Sequence, residues 1–349
     1  MKRGNEARVP DRLSIAVLMG GDSREREISL ETGRAAVEAL SAAGHDVEAR
    51  VIDSVPEVMG MADLTAFDVV FPALHGGDGE DGHLQALLDL MGVTYALSGP
   101  RTSAVAMDKS ATKRLLRGAG IPTPDWLLVS WEGAGARPVS ASGPGLPDDE
   151  MLDLDRLCAR AASELGIPLV VKPNADGSSV GVRIVGDADG FSAAFGEASR
   201  HGSSVLLESY VPGRELTAAI LMGRRLPLVE IVPREGFYDY EHKYTDGASE
   251  YLCPAPVNSP LYEMISGDAR RTYDLLGCRG VARVDFRLDG ATYYCLEVNT
   301  IPGMTGNSLV PKAAAAVGID FGDLLTDLCL DAVRRTRERA RRDPVRSDS

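Results

Sequence analysis

At 349 residues, with 44% hydrophobic, 25% charged and only 5% aromatic residues, the chain has the apolar mass of a globular protein and is too long for one ordinary core, so roughly two or three domains are expected. A formal net charge of −14 argues against a nucleic-acid partner, and no apolar run approaches the ~20 residues of a membrane helix. Cys158, Cys253, Cys278, Cys295 and Cys329 are widely spaced without a CxxC pair, which suggests reduced thiols and, with an N-terminus lacking a signal-like apolar core, a cytoplasmic chain.

From Leu13 the run LSIAVLMGG reads as a buried strand, and GGDSREREISLETGRAAVEALSAAG turns through glycines into an amphipathic helix ending at Gly44. HDVEARVID and FDVVFPAL supply further strands, HLQALLDLMG a helix and VTYALSG an extended segment. Strands alternating with helices imply an α/β first domain, residues 12–108, with a mostly parallel, doubly wound sheet whose loops gather at the strand C-termini. A helix around SATKRLLRGAG is stopped by IPTPDW. Residues 132–150, EGAGARPVSASGPGLPDDE, lack periodicity and are expected to be a surface insertion.

The helix DLDRLCARAASELG, two strands in IPLVVKPNADGSSVGVRIV, another helix and the strand SSVLLESYV make a small α+β unit. Beyond it ELTAAILMG and RLPLVEIV are strands, PREGFYDYEHKYTDGASEYLCPAP is a long loop, and a helix runs through about Leu276. GVARVDFRLDG and TYYCLEVNT then read as a strand pair joined by a tight turn, and FGDLLTDLCLDAVRRT as the last helix. The basic run RRTRERARRDPVR is expected to be a solvated helix end and an unstructured tail over 336–349.

Glu297 and Asn299 interrupt an apolar strand two residues apart, so period-two spacing sets both on one face. If their strand pairs with the one carrying Asp285, three oxygen donors converge, a hard set without thiol or imidazole that suits Mg²⁺. Pairing of Asp285 and Glu297 with Arg283 or Arg287 is the commoner use of such acids. Lys172 stands on a strand just before Gly177, Ser178, Ser179 and Gly181, whose N–H groups and hydroxyls can cover phosphates, although the same residues suit a plain hairpin turn. Lys109 offers another cation at a helix start. The spacing is not GxxxxGK[ST], and the first glycines are not GxGxxG. Glu208, Tyr210 and Val211 offer a carboxylate and apolar surface to a base, and Glu215 a carboxylate to a ribose; ordinary strand-end acids look the same.

In this order, AVLMGGDSREREISLETG, HGGDGEDGHLQALLDLMGVTYALSG, AMDKSATK, VVKPNADGSSVGV, GFYDYEHKYTDGASEYLCPA and RVDF…LEVNTIPGMTGNSLVP resemble the D-alanine–D-alanine ligases of the ATP-grasp superfamily, over about residues 13–330. The resemblance implies three domains, 12–108, 109–207 and 208–335, with ATP between the second and third. It implies that one D-alanine carboxylate attacks the γ-phosphate and that the amine of a second D-alanine displaces phosphate from the acylphosphate. Lys109, Lys172 and Ser179 are then expected at the ATP phosphates, Glu208, Tyr210, Val211 and Glu215 at adenine and ribose, and Asp285, Glu297 and Asn299 on two Mg²⁺ ions. Mn²⁺ is a substitute ion and a monovalent cation a further one.

The same resemblance assigns the first ammonium to Glu25, linked to Ser178 and Tyr244, with His75 near that substrate. It makes Arg283 and Gly303 the oxyanion hole, Ser308 and Leu309 the second D-alanine site, and Lys243 part of a lid over 237–251. A homodimer and a role in peptidoglycan precursor synthesis are implied too. Tyr210, Ser209 and the segment TGNS depart from the family's commoner tryptophan, lysine and TSHS, and Gly306 and Asn307 leave the acceptor's identity open. The retained Lys243–Tyr244 pair favours D-alanine over D-lactate or D-serine. A degenerate ATP-binding regulator would have lost a metal ligand or phosphate lysine, and a biotin-dependent carboxylase should lack Glu25 and the lid pair; all are present.

Overall fold

The computed structural model describes residues 12–131, 135–141, 151–177, 180–233 and 249–342, and among them the strands form three sheets. The first comprises β1 (Ser14–Gly20), β2 (Asp46–Ile52) and β3 (Val69–Pro72) in the order β2-β1-β3, all parallel, with α1 (Arg26–Ala42) and α2 (His83–Leu90) in the same unit. Ile15, Val17, Met19 and Phe71 bury against Leu30, Ala36 and Leu40 of α1, while Ala16, Leu18 and Val70 bury against Leu84 and Leu88 of α2. Burial of both faces explains the unbroken apolar run that marked β1. The segment VTYALSG contributes only a parallel bridge, Val70 to Tyr95.

Next come α3 (Pro100–Met107), α4 (Lys109–Gly118), β4 (Trp126–Trp131), β5 (Ala136–Ala141), α5 (Leu154–Leu165), β6 (Leu169–Pro173), β7 (Arg183–Val185), α6 (Phe191–Ala198) and β8 (Ser204–Ser209). Their strands form an antiparallel sheet in the order β5-β4-β8-β6-β7. One face packs Leu127, Val171 and Leu207 against Leu157 and Ala161 of α5 and Phe191 and Phe195 of α6. The opposite face, with Trp126, Leu128 and Leu206, also carries Lys172 and Glu208. Within the 132–150 stretch expected to be irregular, Ala136–Ala141 is instead a strand. It lies at the sheet edge, where Pro138 costs no ladder bond to a further strand, and its Gly- and Pro-rich surroundings hid it.

The third unit holds β9 (Arg214–Leu221), β10 (Arg224–Arg225), β11 (Val229–Pro233), β12 (Ser249–Leu252), α7 (Ser259–Leu276), β13 (Val281–Asp289), β14 (Thr292–Asn299), α8 (Leu309–Ala315) and α9 (Phe321–Arg342). Its antiparallel sheet runs β12-β11-β9-β13-β14, with β10 on β9. Two expectations are corrected. Residues 249–251, assigned to the lid, belong to the edge strand β12, where Ile231 pairs with Tyr251. The final helix continues to Arg342, inside the run expected to be unstructured from 336, because Arg, Glu and Ala sustain a helix after the apolar period has ended.

Two cores tie the units together. Leu325, Leu328 and Cys329 of α9 share one with Val17 and Phe71, and His45 Nε2 stands 3.0 Å from Thr326 Oγ1. Leu116 and Ile121, placed by sequence in the central unit, bury with Val284 and Phe286 of the third.

Candidate active site

The pocket faces of the two antiparallel sheets and the C-terminal ends of β1 and β3 enclose a cleft of about 800 Å³. On β13, Arg283, Asp285 and Arg287 alternate with the buried Val284, Phe286 and Leu288, so all three line the cleft. Asp285 is paired with Glu297, and Arg283 with Asn299, directly across the hairpin. On β14, Tyr293 and Cys295 point into the core, and an unbroken alternation would send Glu297 and Asn299 after them. The ladder skips Leu296: Phe286 pairs with Cys295 and Asp285 with Glu297. This β-bulge reverses the alternation, turning Glu297 and Asn299 to the cleft while Val298 stays in the core.

Asp285 accepts from Thr217 Oγ1 at 2.6 Å, from Arg283 Nη2 at 2.9 Å and from Arg283 Nε at 3.0 Å. The Asp285–Arg283 pairing anticipated as the ordinary use of these charges is therefore present, on the cleft side of the sheet. Lys109 Nζ lies 3.7 Å from Glu297 and donates to the Asp176 carbonyl at 2.5 Å. Asn299 Oδ1 accepts from the Ile301 N–H at 2.9 Å. Two carboxylates facing one another beside an amide oxygen fit a hard divalent ion that also takes phosphate oxygens. The nearest soft ligand, Cys295, is turned into the core, where burial pushes its thiol far up.

On the other wall, Lys172 and Glu208 lie on neighbouring antiparallel strands, with Lys172 paired to Leu206 and Val170 to Glu208. Glu208 is gripped by two lysines: Lys172 Nζ contacts one oxygen, and Lys113 Nζ is 2.6 Å from the other. Burial pushes the Glu208 carboxyl up, but the charges of Lys113 and then Lys172, with their hydrogen bonds, outweigh it and hold the group below the usual range. Lys113 itself, displaced mainly by burial, is pushed down to about 8. A carboxylate with a depressed folded pKa contributes stability above its unfolded value, near 4.3, that is lost as pH falls through the folded value. The melting-temperature gap between the parent and Glu208→Gln is therefore expected to narrow on acidification below about pH 4. Along the same wall Tyr210, Val211 and Glu215 line the cleft, with Arg287 3.2 Å from both Glu215 Oε2 and the Val211 carbonyl.

The third wall is built by the first domain. Glu25 precedes α1, its N–H donating to Ser23 Oγ at 3.1 Å, and Ser23 Oγ donates to the His75 carbonyl at 2.5 Å. Gly76, at φ +69°, passes so close that a Cβ there would fall 2.7 Å from Glu25 Oε2, and one at Gly177 3.0 Å from it. Buried His75 sits between Thr32 Oγ1 at 3.0 Å and Glu80 Oε1 at 3.3 Å. At the far end Gly303, Ser308 and Leu309 line the cleft, and Ser308 Oγ accepts from the Thr305 N–H at 3.1 Å.

The described residues thus bring Glu25, His75, Lys109, Lys172, Glu208, Tyr210, Val211, Glu215, Arg283, Asp285, Glu297, Asn299, Gly303, Ser308 and Leu309 to one cleft. Ser178, Ser179, Lys243 and Tyr244 lie outside the described residues. Sequence reasoning missed Glu80, Thr217 and Lys113. For Lys113 a signal existed: it falls four residues after Lys109 on the α4 face that buries Leu116.

Comparison with known proteins matches the family model of the D-ala D-ala ligase C-terminus to residues 145–330 and that of the N-terminus to residues 53–98. The D-alanine–D-alanine ligase of Syntrophotalea carbinolica is 43% identical over 321 residues, 92% of this chain and 96% of the relative. That of Moorella thermoacetica is 44% identical over 326 residues, 91% of this chain and 100% of the relative. The crystal structure of the Bacillus anthracis D-alanine–D-alanine ligase complexed with ATP superposes with a TM-score of 0.78 at 33% identity, covering 95% of this chain and 100% of that one. The Coxiella burnetii ligase gives 0.76 at 28% identity over 97% of this chain and 100% of its own.

Proposed function

The chain belongs to the D-alanine–D-alanine ligase family, and from that premise we propose how its own residues divide the ATP-dependent joining of two D-alanines. A carboxylate is a poor acyl donor, so the first substrate is activated by attack on the γ-phosphate, leaving an acylphosphate and ADP. Its ammonium is held by Glu25, whose backbone N–H is tied through Ser23 Oγ to the His75 carbonyl at the C-terminal ends of β1 and β3. Lys109, at the start of α4, and Lys172, on β6, reach the phosphates. Asp285, Glu297 and Asn299 would hold Mg²⁺, which when bound neutralises phosphate charge.

The amine of the second D-alanine then attacks the acyl carbon. Arg283 and the N–H of Gly303 face the oxygen on which charge develops, and Ser308 receives the acceptor's carboxylate. Glu208, Tyr210, Val211 and Glu215 take adenine and ribose. The observation that carries this reading is the opposition of Asp285 and Glu297 across the hairpin, with Lys109 3.7 Å from Glu297, in the cleft that also holds Glu25 and Ser308. The dipeptide product suits peptidoglycan precursor synthesis in the cytoplasm, where ATP is made, and a homodimer is part of the same proposal.

Phosphate release from ATP, measured with a panel of D-amino and D-hydroxy acids and the product weighed by mass spectrometry, tests it. D-alanine should give D-alanyl-D-alanine; no phosphate above background with D-alanine would end the reading. A mixed product would make Gly306 and Asn307, next to Ser308, the first positions to test for acceptor selectivity. Glu25→Gln should raise the KM for the first D-alanine by about tenfold or more, through loss of a charged hydrogen bond, and leave the KM for ATP near the parent's. Equal shifts in both constants would count against its place at the ammonium.

A further inference from the structure

Lys113 has no part in the steps above, yet it is one of the largest wholly buried side chains, at 0% exposure. A buried ammonium is costly unless every proton finds an acceptor. Here Nζ donates to Thr123 Oγ1 at 2.9 Å and to the Pro124 carbonyl at 3.1 Å, and forms an ion pair with Glu208 Oε1 at 2.6 Å. The ring of Trp126 covers it, the centroid 5.5 Å from Nζ. Glu208 lines the cleft and Lys113 does not, so Lys113 meets the carboxylate from the side closed to the nucleotide. Glu208 stands on β8 between Trp126 and Val170, in the interior of the sheet.

A carboxylate offers about four lone-pair sites, and the two lysines stand one beside each oxygen. The remaining sites can accept from a ligand. An ionised carboxylate cannot donate, so it favours a purine carrying an exocyclic amino group and disfavours one with an oxo group in its place. Lys172, the other partner, is also assigned to the phosphates, so its hold on Glu208 is shared; that of Lys113 is not. The lowering of the Glu208 pKa follows the same order, with the charge of Lys113 ahead of that of Lys172.

We propose that Lys113 is a positioning residue of the nucleotide site, which keeps Glu208 ionised and aimed at the exocyclic amino group of adenine and so sets the preference for adenine over 6-oxopurine nucleotides. The proposal rests on the placement of adenine at Glu208.

The test is the ratio of kcat/KM for ATP to that for inosine triphosphate, measured in the parent, Lys113→Met, Lys113→Gln, Glu208→Gln and the Lys113→Met/Glu208→Gln double variant. Loss of a charge-assisted hydrogen bond predicts a fall of about tenfold in that ratio for Glu208→Gln and a similar fall for either Lys113 variant. Adding Lys113→Met to Glu208→Gln should change the ratio no further. A merely structural role for Lys113 would lower both activities together and leave the ratio at the parent's value, overturning the proposal. If Glu208→Gln itself keeps the parent ratio, the placement of adenine fails, and the proposal with it. Loss of the folded state in both Lys113 single variants, by circular dichroism, would make Lys113 a stability element and overturn the assignment too.

Discussion

Glu297→Gln is expected to lower kcat by about 10²–10³-fold with saturating Mg²⁺ and both substrates, the scale seen when a preorganised charge-stabilising group is lost at a reacting centre. The substitution is nearly isosteric and leaves an oxygen in place, so it removes charge and spares shape. Glu297 is half-buried, faces Asp285 across the hairpin and has Lys109 3.7 Å away. Neutralising it takes one negative charge from the proposed divalent site and leaves Lys109 with one opposing charge fewer. The consequence should fall on the phosphoryl-transfer step, where the metal neutralises charge. Titration with Mn²⁺, followed by electron paramagnetic resonance in the presence of ADP, should show weaker metal binding in the variant. An unchanged kcat at saturating Mg²⁺ would remove Glu297 from the ligand set.

Arg283→Met should cost a similar factor, about 10²–10³ in kcat, but at a different step. Arg283 holds Asp285 through Nε, at 3.0 and 3.2 Å from its two oxygens, and Nη2 at 2.9 Å, and lines the same cleft as Gly303. Its guanidinium therefore touches the carboxylate proposed to hold metal and, under the proposal, also serves the tetrahedral oxyanion. Rapid-quench measurement of ADP separates the two duties. Loss of the oxyanion donor predicts a retained first-turnover burst of ADP followed by a slowed steady state, since acylphosphate still forms but reacts slowly. Disappearance of the burst would instead assign Arg283 to the support of Asp285. Arg283→Lys should not restore the parent rate, because an ammonium lacks the planar fork that holds a carboxylate through two bonds.

The candidate site was legible to the extent that it depends on short-range geometry. Glu25 and His75 sit in loops at the C-terminal ends of parallel strands, which an alternating strand–helix pattern locates without coordinates. Asp285, Glu297 and Asn299 belong to two strands joined by a tight turn, and pairing across such a turn is local. The edge strands β5 and β12 were less legible, because what orders them is the open edge of a neighbour and not an apolar period of their own. Lys113 was missed for a related reason: its spacing from Lys109 and Leu116 marks one face of α4, but a lysine is exposed by default, and the packing of α4 shows how completely that face is closed to water.

Apart from edge strands such as β5 and β12, the sequence by itself determined most of the strands and helices in their order, the ligase motifs along them and the fact that Glu297 and Asn299 share a face. Those features follow from spacing along one strand or across one turn. Which face that is, only the tertiary structure decided. Tyr293, Cys295, Glu297 and Asn299 occupy alternate positions, and a regular strand would have buried both polar groups with the tyrosine and the thiol. The bulge at Leu296 turns the second pair out to the cleft, because β13 presents Asp285 opposite Glu297 while the core behind β14 accepts Val298. Likewise only long-range packing brings Lys113, Lys172 and Glu208 from three separate elements into one buried charge cluster, since burying any one alone would be too costly.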